Sequence, residues 1–244
     1  MGIRIAFTDP NALIKRCDTA IGRIADGEDG VQNGAVTPDA DWQPLRPDEA
    51  EQLAAGPDDQ ANTVTELVRV LPDWTPDPQR PLIDHIGAFD PFAGRHASTF
   101  LAHVDERPGQ RTTTIDPAVD LRLGIHLDNH DKLPLEQRTA SRRRLGLNLG
   151  PGVRHLLIGT LDIFEIGAAI GADPRYFPHT DDIRRHVAAG RPLRLLRIRL
   201  DPGDAYITPT ELVPHDGSTL TAAAPSRIAF WLGHWPVGAI GSLV

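Results

Sequence analysis

Several residue types and patterns are scarce in this 244-residue chain, and each scarcity excludes a class of protein. Cys17 is the single cysteine, so an internal disulfide is excluded, which favours a reducing compartment. No apolar run approaches the roughly 18 residues that a membrane-spanning helix requires. The first residues also lack the basic head and apolar stretch of an export signal. We therefore expect a cytoplasmic protein with no membrane partner.

Positive charge is also in short supply. Lysine and arginine together number 25 against 33 aspartates and glutamates, which gives a net charge of -8. Proteins that bind nucleic acid need a basic surface for phosphate contacts, so nucleic acid is not an expected partner. We expect a small-molecule substrate instead. The length and the 40% apolar content predict one large domain over residues 1–244.

The first part of the chain, residues 1–97, has weak hydrophobic patterning. Helices are predicted over residues 11–24 and 62–71, the second ended by Pro72. A stretch rich in Gly, Asp and Pro separates them. We expect this part to be helical or irregular and to pack on the rest of the protein.

From residue 98 onward the pattern changes to short β-type runs separated by Gly, Pro and Asp. This spacing predicts a mainly β fold with flanking helices, in which the strands form a barrel or sandwich. A helical insert is predicted at about 160–190, and Gly150-Pro-Gly152 predicts a hairpin turn. The predicted strands cover residues 98–104, 111–115, 121–127, 143–149, 153–159, 193–200, 204–208 and 226–232.

The run over residues 121–128 carries the first candidate ligands. Its apolar residues alternate with Arg122, Gly124, His126 and Asp128. On a strand, His126 and Asp128 therefore lie one pleat apart on the same face, where an imidazole and a carboxylate can bind one metal ion. The alternative interpretation is a core histidine that is hydrogen-bonded to a neighbouring carboxylate.

A second histidine, His215, completes a possible ligand set. Two histidines and one carboxylate on one side of a metal form the facial arrangement expected for non-haem Fe(II). His234 is the rival position for this ligand, but no arginine follows it. We therefore assign the metal ligands to His126, Asp128 and His215.

Arg227 opens the last predicted strand and shares a face with Ala229 and Trp231. A guanidinium in a barrel interior is unfavourable unless an anion meets it, and a carboxylate is its natural bidentate partner. The sequence thus predicts a carboxylate anchor beside the metal ligands. The alternative interpretation is a surface ion pair.

The ordered set His126-x-Asp128, His215 and Arg227 resembles the signature of the Fe(II)/2-oxoglutarate-dependent dioxygenases. The Gly203-Asp204 turn also resembles the phytanoyl-CoA hydroxylase-like branch of that superfamily. The resemblance covers about residues 98–235. It implies a double-stranded β-helix, a jelly roll of the cupin type, as the core of residues 98–244.

The resemblance also implies a specific chemistry. Fe(II) would bind the three ligands, the far carboxylate of 2-oxoglutarate would pair with Arg227, and O2 would be the second cosubstrate. The implied activity is that of an oxidoreductase that hydroxylates an unactivated C–H bond. The expected substrate is a small polar metabolite, such as an amino acid or a biosynthetic intermediate. Desaturation, epoxidation and ring formation use the same ligands and stay open.

Further candidate residues follow from alternation and from proximity to the ligands. Arg144 and Asn148 alternate with leucines and are predicted to face the interior, while Ser218 could donate to a bound carboxylate or occupy a turn. Together with Arg227, these three are the predicted cosubstrate-binding residues. The predicted substrate contacts are Asn129, His130, Trp231 and Arg122, although core packing is the other interpretation of Trp231.

Two other functions remain as alternatives at this point. A cupin-type metalloenzyme, such as an isomerase or a lyase, would use its metal only as a Lewis acid, but such an enzyme leaves Arg227 without a role. A non-catalytic binding barrel would hold no metal.

Overall fold

The computed structural model describes residues 2–71 and 86–244, and the chain is mainly β in these ranges. The strands form two larger antiparallel sheets and one short ribbon. In chain order they are β1 (Arg4–Ala6), β2 (Cys17–Ile24), β3 (Val36–Pro38), β4 (Gln43–Pro44), β5 (Val64–Arg69), β6 (Thr99–Glu106), β7 (Ile115–Asp116), β8 (Leu121–Arg122), β9 (Arg143–Pro151), β10 (Arg154–Gly159), β11 (Arg194–Leu200), β12 (Asp204–Thr208), β13 (His215–Ser218) and β14 (Ser226–Gly233).

The α-helices of the described residues are short. They are α1 (Pro10–Ile14), α2 (Pro47–Leu53), α3 (Ile163–Ile170) and α4 (Thr180–Ala188), and single 3-10 segments cover Ala61–Thr63 and Leu135–Ala140. None of the helices in the described ranges has the length and apolarity needed to cross a bilayer.

The predicted insert at about 160–190 contains α3 and α4. A capping box begins α3, because the Asp162 carboxylate accepts a hydrogen bond from the backbone N–H of Glu165, and α3 ends at Gly171. His179 caps α4, and Thr180 is the first residue of this helix.

The large sheet has the strand order β1-β5-β12-β9-β14-β6. Its neighbours are antiparallel except for β1 and β5, which run parallel. The second sheet has the order β13-β10-β11-β2-β3, and β4 also pairs with β2. The remaining ribbon pairs β7 with β8.

The central strands of the large sheet are buried on both faces, whereas its edge strand β6 is largely exposed. On one face Leu67 and Ile228 belong to a hydrophobic cluster that also contains Leu156 and Leu196 of the second sheet. On the other face of the large sheet, a second cluster includes Leu145, Leu147, Ala229, Trp231 and Trp235. Because apolar residues cover both faces, hydrophobic alternation does not reveal which face of a strand meets the second sheet.

Two helix predictions in the first part of the chain are wrong beyond their first residues. The predicted helix over 11–24 stops at Ile14, and Cys17–Ile24 forms β2. The predicted helix over 62–71 is mainly strand β5, which lies between β1 and β12. Pairing on both edges and the β-branched residues Val64, Thr65 and Val68 favour a strand there over the local helical pattern. The first 97 residues therefore add strands to both larger sheets.

The predictions for the later strands agree better with the structure. Six of the eight predicted runs overlap β6, β9, β10, β11, β12 and β14. The run over 111–115 meets β7 only at Ile115, and the run over 121–127 is a strand only at Leu121–Arg122. Gly150-Pro-Gly152 does not form a hairpin, because β9 and β10 belong to different sheets.

Gly124 brings the candidate ligand segment against β3. Its backbone is left-handed, with φ of 74°, and the next amide, Ile125 N, donates to Val36 O at 2.7 Å. A Cβ atom at Gly124 would lie 2.5 Å from Val36 O. No other residue type satisfies both the torsion angle and the close approach.

We predict that Gly124→Ala lowers the free energy of unfolding by at least about 2 kcal/mol, through torsional strain plus displacement of β3. Gly171→Ala is the matched control, because its φ is 73° and an added Cβ would meet no atom within 4 Å. We expect Gly171→Ala to lower the free energy of unfolding by about 1 kcal/mol, from torsional strain alone. Urea unfolding of both variants measures the difference, and equal losses would contradict the close approach.

Candidate metal centre

The structure brings the three predicted metal ligands together. His126 and Asp128 follow β8, and His215 begins β13. The backbones of His126 and His215 form an isolated antiparallel bridge, with N···O distances of 3.0 and 2.9 Å. This bridge sets the two imidazoles side by side, with ring centroids 4.5 Å apart.

The donor atoms of this triad point at one another. His126 Nε2 lies 3.8 Å from Asp128 Oδ1, and His215 Nε2 lies 3.7 Å from Asp128 Oδ2. One ligand atom of each residue lies within 4.8 Å of the other two. Side chains from distant parts of the sequence therefore converge closely enough to hold one metal ion.

Backbone carbonyls orient both imidazoles. His126 Nδ1 lies 2.9 Å from Gly124 O, and His215 Nδ1 lies 3.1 Å from Val213 O. A carbonyl oxygen can only accept a hydrogen bond. Each Nδ1 therefore carries the proton, and each Nε2 keeps its lone pair. His215 Nε2 is buried without a hydrogen-bond partner among the described residues. Leaving such an atom unsatisfied is unfavourable, and a metal ion would satisfy it, as expected of a ligating histidine.

The charges around the triad keep the donors in their metal-binding forms. Burial alone would raise the pKa of Asp128, but the charge of Arg144 holds it well below its usual range. Burial and the Arg144 charge hold the pKa of His215 well below its usual range, despite the nearby Asp128. Asp128 is therefore held as a carboxylate and His215 as a neutral imidazole, the forms in which these side chains bind divalent transition metals.

Arg144 fixes the Asp128 side chain. Its Nη1 donates to Asp128 Oδ2 at 2.8 Å. The guanidinium lies 4.9 Å from the ring centre of Phe230 and 5.9 Å from that of Tyr206. Gly146 makes room for the tyrosine ring, because a Cβ atom there would lie 2.5 Å from it. Arg144 faces the interior, where it lines the same cavity as His126 and Asp128.

The Asp128 backbone is held separately. Asp128 N donates to Thr210 O at 3.1 Å, and Arg138 Nη1 donates to Asp128 O at 3.3 Å. Arg138 is fully buried and also binds the Glu211 carboxylate at 2.8 Å. This network holds the loop after His126 in one position, so the carboxylate reaches the triad.

A cavity of about 300 Å³ opens beside the triad. His126, Asp128 and Arg144 line one part of it. Val104 and Ile115, which are 39% and 49% exposed, also line it. Its volume is at the lower end for small-molecule sites, which favours a compact ligand.

Arg154 is a residue of this cavity that sequence reasoning missed. It is buried at the start of β10, where its Nη2 donates to Thr113 Oγ1 at 2.8 Å and its Nη1 to Ser226 Oγ at 3.3 Å. No carboxylate of the described residues lies within 4.0 Å of its guanidinium. A buried cation paired only with hydroxyl groups favours binding of an anion. The available signal was an arginine opening the apolar run Leu156–Ile158.

Arg227 lies outside the cavity, so its predicted position beside the ligands is wrong. Its Nε donates to Asp105 at 2.7 Å, and its side chain is 44% exposed. Ile228 and Phe230 of the same strand line the cavity instead. The predicted face shared by Arg227, Ala229 and Trp231 is the opposite face of the large sheet.

The structure separates the remaining predicted residues from the cavity lining. Asn148 is buried, donates to Gly152 O and Leu200 O, and accepts from Gly150 N, so its side chain supports the backbone. Ser218 Oγ donates to Gln110 O at 3.0 Å. Trp231 packs edge-on against Phe89 and Phe100.

The predicted substrate residues nearest the ligands lie outside the cavity wall. Asn129 is exposed and accepts a hydrogen bond from Arg138 at 2.9 Å. His130 Nε2 lies 3.5 Å from Asp128 Oδ2. The Arg122 backbone pairs with Gly30 and Gln32. His130 thus contacts a candidate ligand, whereas Arg122 anchors a neighbouring loop.

Asp216, beside His215, connects β13 to the segment before β7. Its Oδ1 accepts from Thr113 N at 3.2 Å and from Thr114 N at 3.1 Å. Its Oδ2 lies 3.8 Å from His126 Nδ1. This carboxylate therefore positions part of the cavity wall next to the triad.

Comparison with protein-family models and with curated proteins finds no match for this sequence.

Binding of a divalent metal should stabilise the folded protein. At a free Co(II) concentration 100 times Kd, we expect the free energy of unfolding to rise by about 2.7 kcal/mol. His215→Ala should lose this gain, because it removes one of three ligands, whereas His186→Ala should keep it. His186 is a buried histidine of α4 outside the triad. Urea unfolding with and without Co(II) measures the gain, and an equal gain in both variants would contradict the assignment.

His155 predicts a pH dependence of stability. Burial and the charges of Arg197 and Arg199 lower its pKa from an ordinary 6.5 to about 4. The unfolded chain therefore binds the proton more readily, so stability is complete above about pH 6.5 and is lost as the pH falls towards 4. We expect His155→Gln to reduce this acid loss by up to about 3 kcal/mol, measured by urea unfolding from pH 7 to pH 4. An unchanged pH profile in the variant would exclude His155 as the source.

Proposed function

We propose that this chain is an Fe(II)- and 2-oxoglutarate-dependent oxygenase that hydroxylates a C–H bond of a small polar metabolite. The observation that carries the proposal is a buried His-Asp-His triad, of which His126 and Asp128 line a cavity together with a buried arginine that lacks a carboxylate partner. Two imidazoles and a carboxylate suit non-haem iron, and the arginine suits an acidic cosubstrate. The two curled sheets are consistent with a double-stranded β-helix, which we propose as the core.

In this proposal His126, Asp128 and His215 hold the iron. Bound iron, with 2-oxoglutarate and O2, supplies the oxidising chemistry that removes hydrogen from the substrate. Arg144 keeps Asp128 ionised and oriented through its 2.8 Å hydrogen bond. Ile228 and Phe230 cover part of the cavity with apolar surface, which helps to exclude water from the reacting atoms.

Arg154 takes the anchoring role that the resemblance assigned to Arg227. Arg154 lines the same cavity as His126 and Asp128, and its guanidinium is held in place by Thr113 and Ser226. A 2-oxo diacid has two anionic ends, so one end could reach the iron while the far carboxylate pairs with Arg154. Arg227 is exposed and forms an ion pair with Asp105, so we do not assign it this role.

Titration with 2-oxoglutarate tests both parts of this proposal. Without oxygen, Fe(II) and 2-oxoglutarate should produce a weak visible charge-transfer band in the wild-type protein and none in His126→Ala. Arg154→Met should raise the 2-oxoglutarate concentration for half-saturation at least about tenfold, because a charge-assisted contact is lost. Arg227→Met is the matched control and should stay within about twofold of wild type.

Absence of the band, together with absence of succinate formation in oxygen, would overturn the oxygenase proposal. Metal binding combined with turnover that needs neither O2 nor 2-oxoglutarate would instead support an isomerase or a lyase. Equal half-saturation in the two arginine variants would remove the anchoring role from Arg154.

A further inference from the structure

Glu106 is an acidic side chain of the cavity that the proposed chemistry does not use. It ends β6, the edge strand of the large sheet, and stands opposite Ser226 of β14. Side chains alternate along a strand, so Glu106 and Val104 face the cavity, whereas Asp105 faces away and binds Arg227. The sheet register therefore places the Glu106 carboxylate on the cavity side of β6 and the Asp105 carboxylate on the opposite side.

Glu106 differs from the other acidic residues near the triad. Asp128 is paired with Arg144, and Asp216 accepts hydrogen bonds from Thr113 and Thr114. The half-buried Glu106 carboxylate has no hydrogen bond or ion pair within the described ranges. Burial and the charge of Asp216 raise its pKa against the charges of Arg154, Arg122 and Arg107. A cation in the cavity would supply the missing partner.

Glu106 and Arg154 line one cavity but do not form an ion pair. Their charged atoms are more than 4.0 Å apart, and Arg154 donates to Thr113 and Ser226 instead. Opposite charges that stay separate across a cavity leave room for a ligand between them. A ligand carrying an ammonium group would be attracted to the Glu106 end and repelled from the Arg154 end.

The surroundings of Glu106 limit the rest of the ligand. Val104 and Ile115 line the same cavity with exposed aliphatic surface. An alkyl chain next to the cationic group would cover this surface, and the volume of about 300 Å³ limits its length.

We propose that Glu106 selects a small aliphatic substrate that carries a cationic amine. This inference rests on the proposed function for its place in a reaction, because it assigns the substrate class of the same cavity. The aliphatic part would pack on Val104 and Ile115, and the ammonium group would donate to the Glu106 carboxylate. Glu106 is thus a specificity-determining residue.

Binding of two probes of equal length tests this proposal without requiring turnover. We use pentylammonium and pentan-1-ol, and measure Kd by NMR titration of the Zn(II)-loaded protein at pH 7.5. The wild-type protein should bind pentylammonium at least about tenfold more tightly than pentan-1-ol, because only the ammonium group makes a charge-assisted contact. Glu106→Gln should reduce this preference to within about twofold. Glutamine has nearly the same shape as glutamate, and the Glu106 side chain makes no hydrogen bond or ion pair with the described residues that the substitution would remove. Thermal unfolding verifies that the variant is folded.

Asp105→Asn is the matched control, because it removes a carboxylate of the same strand on the opposite face. This variant should keep the wild-type preference. The proposal is overturned if pentylammonium binds no more tightly than pentan-1-ol, or if Glu106→Gln keeps the preference. A 2-oxoglutarate band without a preference for ammonium defeats this inference alone. A preference without the band defeats the oxygenase proposal and leaves the cation site.

Discussion

The backbone bridge between His126 and His215 is the interaction on which the candidate site depends. Two hydrogen bonds join segments that lie far apart in the sequence. The bridge fixes the distance between the two imidazoles, and the carbonyl groups of Gly124 and Val213 fix their orientation. Because the backbone sets both quantities, the donor atoms converge without a metal ion having to gather them.

Charge separation is the second property of the site. The charge of Arg144 is offset by Asp128 at 2.8 Å, whereas Arg154 and Glu106 share the cavity without joining. Buried charges are unfavourable unless they are paired, so the unpaired groups are the ones with most to gain from a ligand. The cavity thus places two members of the candidate metal triad, a buried arginine and a half-buried glutamate in one small volume.

Particular residues show how far sequence reasoning reached. The triad followed from residue chemistry, and the structure brings all three side chains together although the strand predicted over 121–127 ends at Arg122. Arg144 lines the cavity beside the triad. Asn148 has the same alternation, yet its side chain is satisfied entirely by backbone groups. Alternation predicts the face on which a side chain lies, but not whether a backbone group already occupies its donors and acceptors.

The sequence by itself determined the β-rich character of the chain after residue 98 and the identity of the triad. The first depends on local periodicity and the second on residue chemistry, and both can be read without knowing the packing. Tertiary structure decided that β5 is a strand, that Arg227 points outward and that Arg154 and Glu106 share the cavity. The physical reason is that the central strands of the large sheet are buried on both faces, so apolar alternation on β14 is equally compatible with either orientation. Only the packing of the second sheet against one of those faces makes it the wall of the cavity.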